Sequence, residues 1–218
     1  MPQVVSVNVA RAKTFTVVDR RFRSAILKAP VQGRILLRTL GLDGDQQADR
    51  RYHGGPDKAV YLYSSEHYAF WQKALESTDL PPGTFGENLT LSGFEHDLEH
   101  DLHVGDLLQI GAARLQLTTP RQPCWKLETR MGLPGFAKAF LESGRIGMYA
   151  RVVVEGLVGA RDEVSVVERG TNSASVADLI RALYFEDAEA GRRVTADEAL
   201  DPRLRRRLER TSDATGCS

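Results

Sequence analysis

Cysteine is almost absent from this chain of 218 residues: Cys124 lies in mid-sequence and Cys217 next to the last residue. A disulfide framework is therefore excluded, and a reducing compartment is the simpler reading. Two cysteines cannot hold an iron–sulfur cluster, and neither a dinucleotide or flavin glycine fingerprint nor a Walker loop occurs. No serine sits in a nucleophile elbow. Charge of one sign is also missing, since 29 Lys and Arg balance 29 Asp and Glu. The overall field thus gives no reason to expect a nucleic-acid polymer or an anionic membrane as partner, and any anion site must be local. Long apolar runs are absent: the most apolar stretch, Met148 to Val158, is short and broken by Arg151 and Glu155. The amino terminus, Met1-Pro2-Gln3-Val4, lacks the basic and apolar regions of a secretory signal, which reads as a cytoplasmic protein.

What is present is a series of short β-like runs at Val4–Val9, Thr14–Val18, Ile35–Leu37, Ala59–Tyr63, Asn88–Leu91, Leu107–Ile110 and Leu115–Thr118. Many short strands imply a barrel or a sandwich. Residues 107–117 read as a hairpin turning at Gly111, whose second strand alternates Leu115 and Leu117 with Arg114 and Gln116. Ser64–Leu75 has a cap, an acid in its first turn, and Tyr68, Trp71 and Leu75 at helical spacing. A second helix is expected over Leu133–Ser143, stopped by Gly144, and a further hairpin from Gly147–Val154 to Val164–Val167. The first unit spans residues 1–168, with a polar linker over 169–174. Three short helices follow over 175–216: one opened by Ser175 or Asp178, one by the Thr195/Glu198 capping-box pattern, one by Pro202. The last carries Arg203 to Arg210; a single apolar stripe without interleaved aromatics favours a solvated face over a nucleic-acid surface.

Three stretches could carry chemistry. In Thr118-Thr119-Pro120-Arg121-Gln122-Pro123-Cys124-Trp125, two prolines stiffen the connection and present the thiol in one orientation, although a small buried hydrophobe is the plain alternative. In Asp49-Arg50-Arg51-Tyr52-His53-Gly54-Gly55-Pro56-Asp57-Lys58, paired glycines beside Arg50, Arg51, His53 and Lys58 could form an anion cradle or an ordinary surface turn. In Phe85-Gly86-Glu87-Asn88-Leu89-Thr90, an acid and an amide stand at the mouth of a strand. A fourth stretch, Glu95 to His103, places three histidines within eight residues. His96 and His100 would share a face if it were helical, but interleaved carboxylates in a surface loop more simply solvate it.

Together, Gly41-Leu42-Asp43-Gly44-Asp45-Gln46, Tyr52 to Val60, Phe85 to Thr90, Val104-Gly105-Asp106, the Thr119–Cys124 turn and Gly147 to Val152 resemble the MOSC family, named for the carboxy-terminal domain of molybdenum cofactor sulfurases. The tail from about Val176 is similar to the three-helix appendix of the small bacterial YiiM type. The resemblance implies a mainly β, α+β fold: a twisted antiparallel β-barrel with a few helices and a small three-helix domain. It implies a molybdenum cofactor of the molybdopterin type, with Cys124 as the metal ligand. The cofactor-binding residues would be Arg50, Arg51, His53, Gly54, Gly55, Asp57, Lys58, Glu87, Asn88, Thr119, Arg121 and Cys124. His53 or Glu87 would relay protons beside Cys124, with no basis to choose between them. The implied reaction reduces small N-hydroxylated compounds, such as hydroxylaminopurines, to amines, with electrons from a separate reductase. Rival readings are a sulfur carrier using a Cys124 persulfide and a non-catalytic cofactor-binding module. A pyridoxal phosphate role lacks a Schiff-base lysine, and a homodimer is the usual default for oligomeric state.

Overall fold

A computed structural model of the chain describes residues 1–17, 20–49, 53–170, 174–196 and 204–209. The elements run β1 (Gln3–Val9), β2 (Lys13–Val17), β3 (Arg20–Ser24), β4 (Ala29–Pro30), β5 (Ile35–Arg38) and β6 (Gly41–Leu42). A 3-10 turn (Pro56–Lys58) leads into β7 (Val60–Ser64), α1 (Glu66–Ala74), β8 (Leu89–Ser92) and α2 (Leu98–Asp101). Then come β9 (Leu107–Ile110), β10 (Ala113–Pro120), α3 (Trp125–Met131), α4 (Phe136–Glu142), β11 (Met148–Val154), β12 (Gly156–Val158) and β13 (Val164–Glu168). The chain closes with α5 (Val176–Tyr184), α6 (Ala188–Thr195) and a helical stretch at 204–209. Among the described residues, no helix is long and apolar enough to cross a membrane.

Eight strands form one sheet in the order β13-β9-β10-β11-β7-β8-β1-β4. Its ends curl toward each other: Val4 N donates to Asp162 O (2.9 Å), Arg161 N to Val4 O (2.8 Å), and Val164 N to Pro2 O (2.9 Å). Backbone donors that an open edge would leave to solvent are thus paired, as barrel closure requires. The expected sheet-rich α+β architecture is present. All pairings in it are antiparallel except β7 with β8, which run parallel because α1 intervenes and returns the chain to the same end. Along β10, Ala113, Leu115 and Leu117 are buried while Arg114 is exposed, as the alternation predicts. β7 is buried throughout, and Tyr61 and Tyr63 share one face of it, Tyr63 packing toward α1 and α4 and Tyr61 reaching the cleft described below. Tyr63, Trp71, Phe85 and Phe140 pack with ring centroids 5.0 to 6.0 Å apart, filling the space between α1, α4 and the sheet.

Two expectations need correction. The second hairpin does not form, because β10 and β7 already occupy both edges of β11; the chain turns into β12, which pairs with β5, and β13 pairs with β9. The Thr195/Glu198 cap is also wrong: α6 begins earlier, where Asp187 accepts from Glu189 N (3.0 Å) and Ala190 N (2.9 Å), and Thr195 ends it. Pro202, Glu198 and Cys217 lie outside the described residues. The Ser175 start is right, as a capping box with Asp178. α5 buries Val176 and Ile180 in the main core while Leu179, Ala182 and Leu183 join Ala190, Val194, Leu204 and Leu208 in a second, smaller core.

Gly147, at the start of β11, has φ +67°, and a Cβ there would lie 2.3 Å from Leu62 O and 2.8 Å from the Tyr61 ring. Replacing it with alanine therefore combines backbone strain with a clash against a central strand. Gly147→Ala should cost about 3 kcal/mol or more, read in a thermal melt as a fall of roughly 6 to 12 °C for a domain of this size; an unchanged melting temperature would contradict it.

Candidate functional site

β10 carries the chain through Pro120 into the turn that holds the thiol. Arg121 N donates to Gly147 O (3.2 Å), which pins the turn to the head of β11, and Cys124 follows in extended backbone (φ −139°, ψ 168°) as the residue before α3. Leu127 N donates to Cys124 O (2.8 Å). The Cys124 thiol is free and half-buried, so the alternative of a core hydrophobe walled off from solvent fails. It faces a cleft that opens to solvent.

Among the described residues, the cleft is lined by four cations, Lys28, Lys58, Arg121 and Lys126, against two carboxylates, Asp45 and Asp49. Lys28 is engaged at 2.5 and 2.6 Å by the two oxygens of Asp45, and Lys126 lies 3.7 Å from Asp49. Arg121 is 4% exposed, with its guanidinium 4.8 Å over the Tyr61 ring and 5.5 Å over Phe140. Its Nη1 is buried with no hydrogen-bond partner among the described residues. A buried, permanently charged donor without an acceptor is costly unless something anionic completes it, and this one lies three residues from the thiol.

Burial, then the fields of Arg121 and Lys58, push the His53 imidazole down to about 4, so it is neutral at physiological pH. Burial also lowers the Lys58 ammonium, with help from Arg207 of the helical stretch at 204–209. Lys28 is lowered by burial against the opposing pull of Asp45.

Of the residues expected at the site, Cys124, His53, Lys58, Asn88 and Arg121 come together around the cleft. The others are placed differently. Arg50 and Arg51 lie outside the described residues. Gly54 and Gly55 do not line the cleft: Gly55 N donates to Gln47 Oε1 (2.8 Å), and a Cβ on Gly54 would meet that side chain at 2.6 Å, so the pair admits Gln47 rather than cradling an anion. Asp57 is exposed and paired with Arg151 at 3.2 Å. Thr119 is not among the lining residues although it pairs across β10–β11 with Tyr149, which is, and its neighbour Thr118 donates to Asp57 O (2.6 Å). Glu87 lies behind the wall, fully buried, with Oε1 accepting from Tyr68 OH, Gly83 N (2.7 Å) and Thr90 Oγ1 (2.9 Å). Burial raises its carboxyl, and only its neighbours Gly86 and Asn88 reach the cleft. Asn88 spends its amide on the protein, donating to Asp45 Oδ2 (2.9 Å) and accepting from Tyr61 N (3.2 Å).

Sequence reasoning missed Lys28, Asp45 and Lys126 as wall residues. Asp45 stood within the Gly41–Gln46 segment and Lys126 two residues beyond Cys124; Lys28 had no local signal. His96 and His100 pair with their own neighbours, Asp101 (3.0 Å) and Asp97 (2.6 Å), and do not converge. The buried histidine of that region is His67, whose Nε2 lies 2.7 Å from Glu99 Oε2 while Glu99 Oε1 accepts from Gly147 N (2.8 Å). One ligand atom from each of His67, Asp97 and Glu99 lies within 4.8 Å of the others. Both oxygens of Glu99 are nonetheless already used in holding the head of β11.

Residues 49–165 match the MOSC domain family. The chain belongs to the MOSC-domain family. It is 33% identical over 213 residues to the uncharacterized protein YflK of Bacillus subtilis (strain 168), covering 96% of this chain and 94% of that one. The crystal structure of YiiM from Geobacillus stearothermophilus superimposes with a TM-score of 0.76 at 31% identity, over 97% of this chain and 99% of that one. The match thus includes the appendix, and the protein is a MOSC protein of the YiiM type. A protein of Gibberella moniliformis (strain M3125 / FGSC 7600) named reductase is 31% identical over 163 residues, 73% of this chain but 28% of that much longer one.

Two outcomes follow from the geometry. Asp45→Ala would leave Lys28, with only 9% of its side chain exposed, without its counter-charge. The expected cost is about 3–5 kcal/mol in a urea titration, and Lys28→Met/Asp45→Leu should recover part of it; a midpoint unmoved by Asp45→Ala would show the pair to be idle. The second concerns His53, which is neutral in the fold down to about pH 4 while the unfolded chain takes up its proton near the usual 6.5. Below about 6.5 the unfolded state therefore binds more protons here, and this residue withdraws stability as pH falls toward 4. His53 ring resonances should titrate near pH 4; a midpoint near 6.5 would contradict the placement.

Proposed function

We propose that this MOSC protein binds a molybdenum–pterin cofactor through the Cys124 thiolate and reduces small N-hydroxylated compounds to amines. The observation that carries the reading is the unpartnered Nη1 of buried Arg121 beside a half-buried free thiol in a cation-rich cleft. The donor set fits such a group: a thiolate is a soft ligand for a high-valent metal, and Arg121 with Lys58 and Lys126 would hold the anionic oxygens of a phosphate-bearing pterin. When bound, such a cofactor would supply two-electron reduction of the N–O bond, R–NHOH + 2e⁻ + 2H⁺ → R–NH₂ + H₂O.

The chain's own residues bind and orient. Arg121, clamped between Tyr61 and Phe140, offers a fixed donor at the base of the cleft. Asp45 holds Lys28 in the wall, and Asn88 holds Asp45. Neutral His53 offers the cleft a hydrogen-bonding imidazole, while Glu87, fully buried behind the wall, accepts from Tyr68 and Thr90. The Gibberella protein's name supports an oxidoreductase role for this family member. With no sequence signature for a second redox group, the electrons come from a separate reductase.

Protein made in a cofactor-competent host should carry about one molybdenum per chain by elemental analysis, and Cys124→Ala should carry none. Equal molybdenum in both proteins would refute the assignment of the ligand. Cyanolysable sulfur without molybdenum would favour a persulfide carrier.

A further inference from the structure

The region from Arg11 to Leu42 departs sharply from the chain's neutral balance. It contains eight cations, Arg11, Lys13, Arg20, Arg21, Arg23, Lys28, Arg34 and Arg38, and a single carboxylate, Asp19. Lys28, Arg34 and Arg38 are committed to Asp45, Asp162 and Asp43. Arg11, Lys13, Arg21 and Arg23 are exposed and make no ion pair among the described residues.

Three of these four lie on the β2–β3 hairpin, whose strands pair only with each other. The register gives it two unlike faces. Phe15 opposes Phe22 on one face, with rings stacked at 5.5 Å, and Phe22 meets Trp125 edge-on at 4.5 Å. Trp125 is the residue after Cys124, and the hairpin's outgoing end supplies Ser24, Ala25 and Ile26 to the cleft wall. The opposite face carries the pairs Thr14 with Arg23 and Thr16 with Arg21, all exposed. An apolar face thus rests on the thiol-bearing turn while a cationic face looks outward. The hairpin itself is the layer between its outer face and the Trp125 ring beside Cys124.

Resting on the reading above, which requires electrons from another protein, we infer that the outer face of the β2–β3 hairpin is the docking surface for an acidic electron-carrier protein. Charge complementarity selects the occupant: the outer face carries two exposed arginines and no carboxylate on either strand, and although Arg23 borders a hollow with Asp43 and Asp45, Arg38 and Lys28 already pair with those acids, so the face attracts an acidic surface and repels a basic one. The position selects its task. Each turnover consumes two electrons and two protons, so a reduced flavin-bearing carrier docked here would deliver the electrons across the Phe22–Trp125 contact and be oxidised in turn.

The test uses the cofactor-loaded protein, a reduced flavodoxin as the carrier probe, and dithionite as a small reductant that needs no docking. Arg21→Glu/Arg23→Glu should weaken flavodoxin binding and slow flavodoxin-driven turnover by about tenfold or more at low salt, within the span of electrostatically steered association, with the wild-type advantage shrinking as salt rises. Dithionite-driven turnover should stay within about twofold, since neither arginine lines the cleft. Arg21→Gln/Arg23→Gln should fall between the two, and Arg192→Glu, the same charge reversal on α6, should change nothing. Unaltered binding and turnover with flavodoxin in the reversal variant would overturn the inference, as would an equal loss with dithionite. So would tighter binding of a DNA duplex than of flavodoxin to the wild-type hairpin, which would make it a nucleic-acid surface. Absence of turnover even with dithionite would instead strike the proposed reaction, and the binding arm would still decide the docking surface.

Discussion

A single peptide unit, between Ile146 and Gly147, fixes the geometry on which the cleft depends. Its carbonyl accepts from Tyr61 OH (2.8 Å) and its N–H donates to Glu99 (2.8 Å), while the next carbonyl, Gly147 O, accepts from Arg121 N (3.2 Å). Glu99 is held in turn by His67 of α1, both side chains being nearly inaccessible to water. β7, α1, α2 and the end of β10 therefore converge on one point with no backbone donor or acceptor left over. The left-handed φ and the close approach of Leu62 O make glycine the residue that permits it. The orientation of the thiol is thus a consequence of core packing several residues away, beyond the stiffness of the two prolines beside it.

The second determinant is how the cleft's charges are divided. Lys28 is neutralised by Asp45 and contributes little outward field despite lining the wall. Arg121 is the reverse case. Its guanidinium rests against two aromatic faces that offset part of its desolvation, yet Nη1 is left without an acceptor. Arg130 Nε and Arg151 Nε share that condition, but of the three only Arg121 lines the cleft beside the thiol.

Local sequence signals recovered most strands because β10 and its hairpin partner β9 obey strict alternation and a glycine turn, and recovered α1 through its cap and its Tyr68/Trp71 spacing. They failed where a choice depended on neighbours. Whether the strand after Val154 folds back on β11 is decided by β10 and β7, which are distant in sequence. α6 was displaced because Gly191 lowers helix propensity in mid-helix and hid a start already marked by Asp187. At the site, the thiol, Arg121, Lys58 and His53 were legible as reactive types beside turn formers. The glycine pair misled, since the same signature that lets a backbone approach a ligand lets it approach Gln47. The burial of Glu87 was not legible, because a carboxylate after a glycine says nothing about which side of a sheet wall it will face.

The three-helix appendix completes the electrostatics of the cleft rather than standing apart from it. Tyr184, at the end of α5, packs against the main core and the small helical core at once, and Arg207 lies 4.9 Å over its ring. From there the Arg207 charge reaches Lys58, itself placed 5.7 Å over Tyr149 on the cleft wall. Lys58 and Arg207 are thereby held within each other's field, a repulsion that Asp49 and Asp57 offset in part. An anion entering the cleft relieves that repulsion. The helical tail thus adds the Arg207 charge to the field at the cleft wall, in a protein whose formal charges sum to zero.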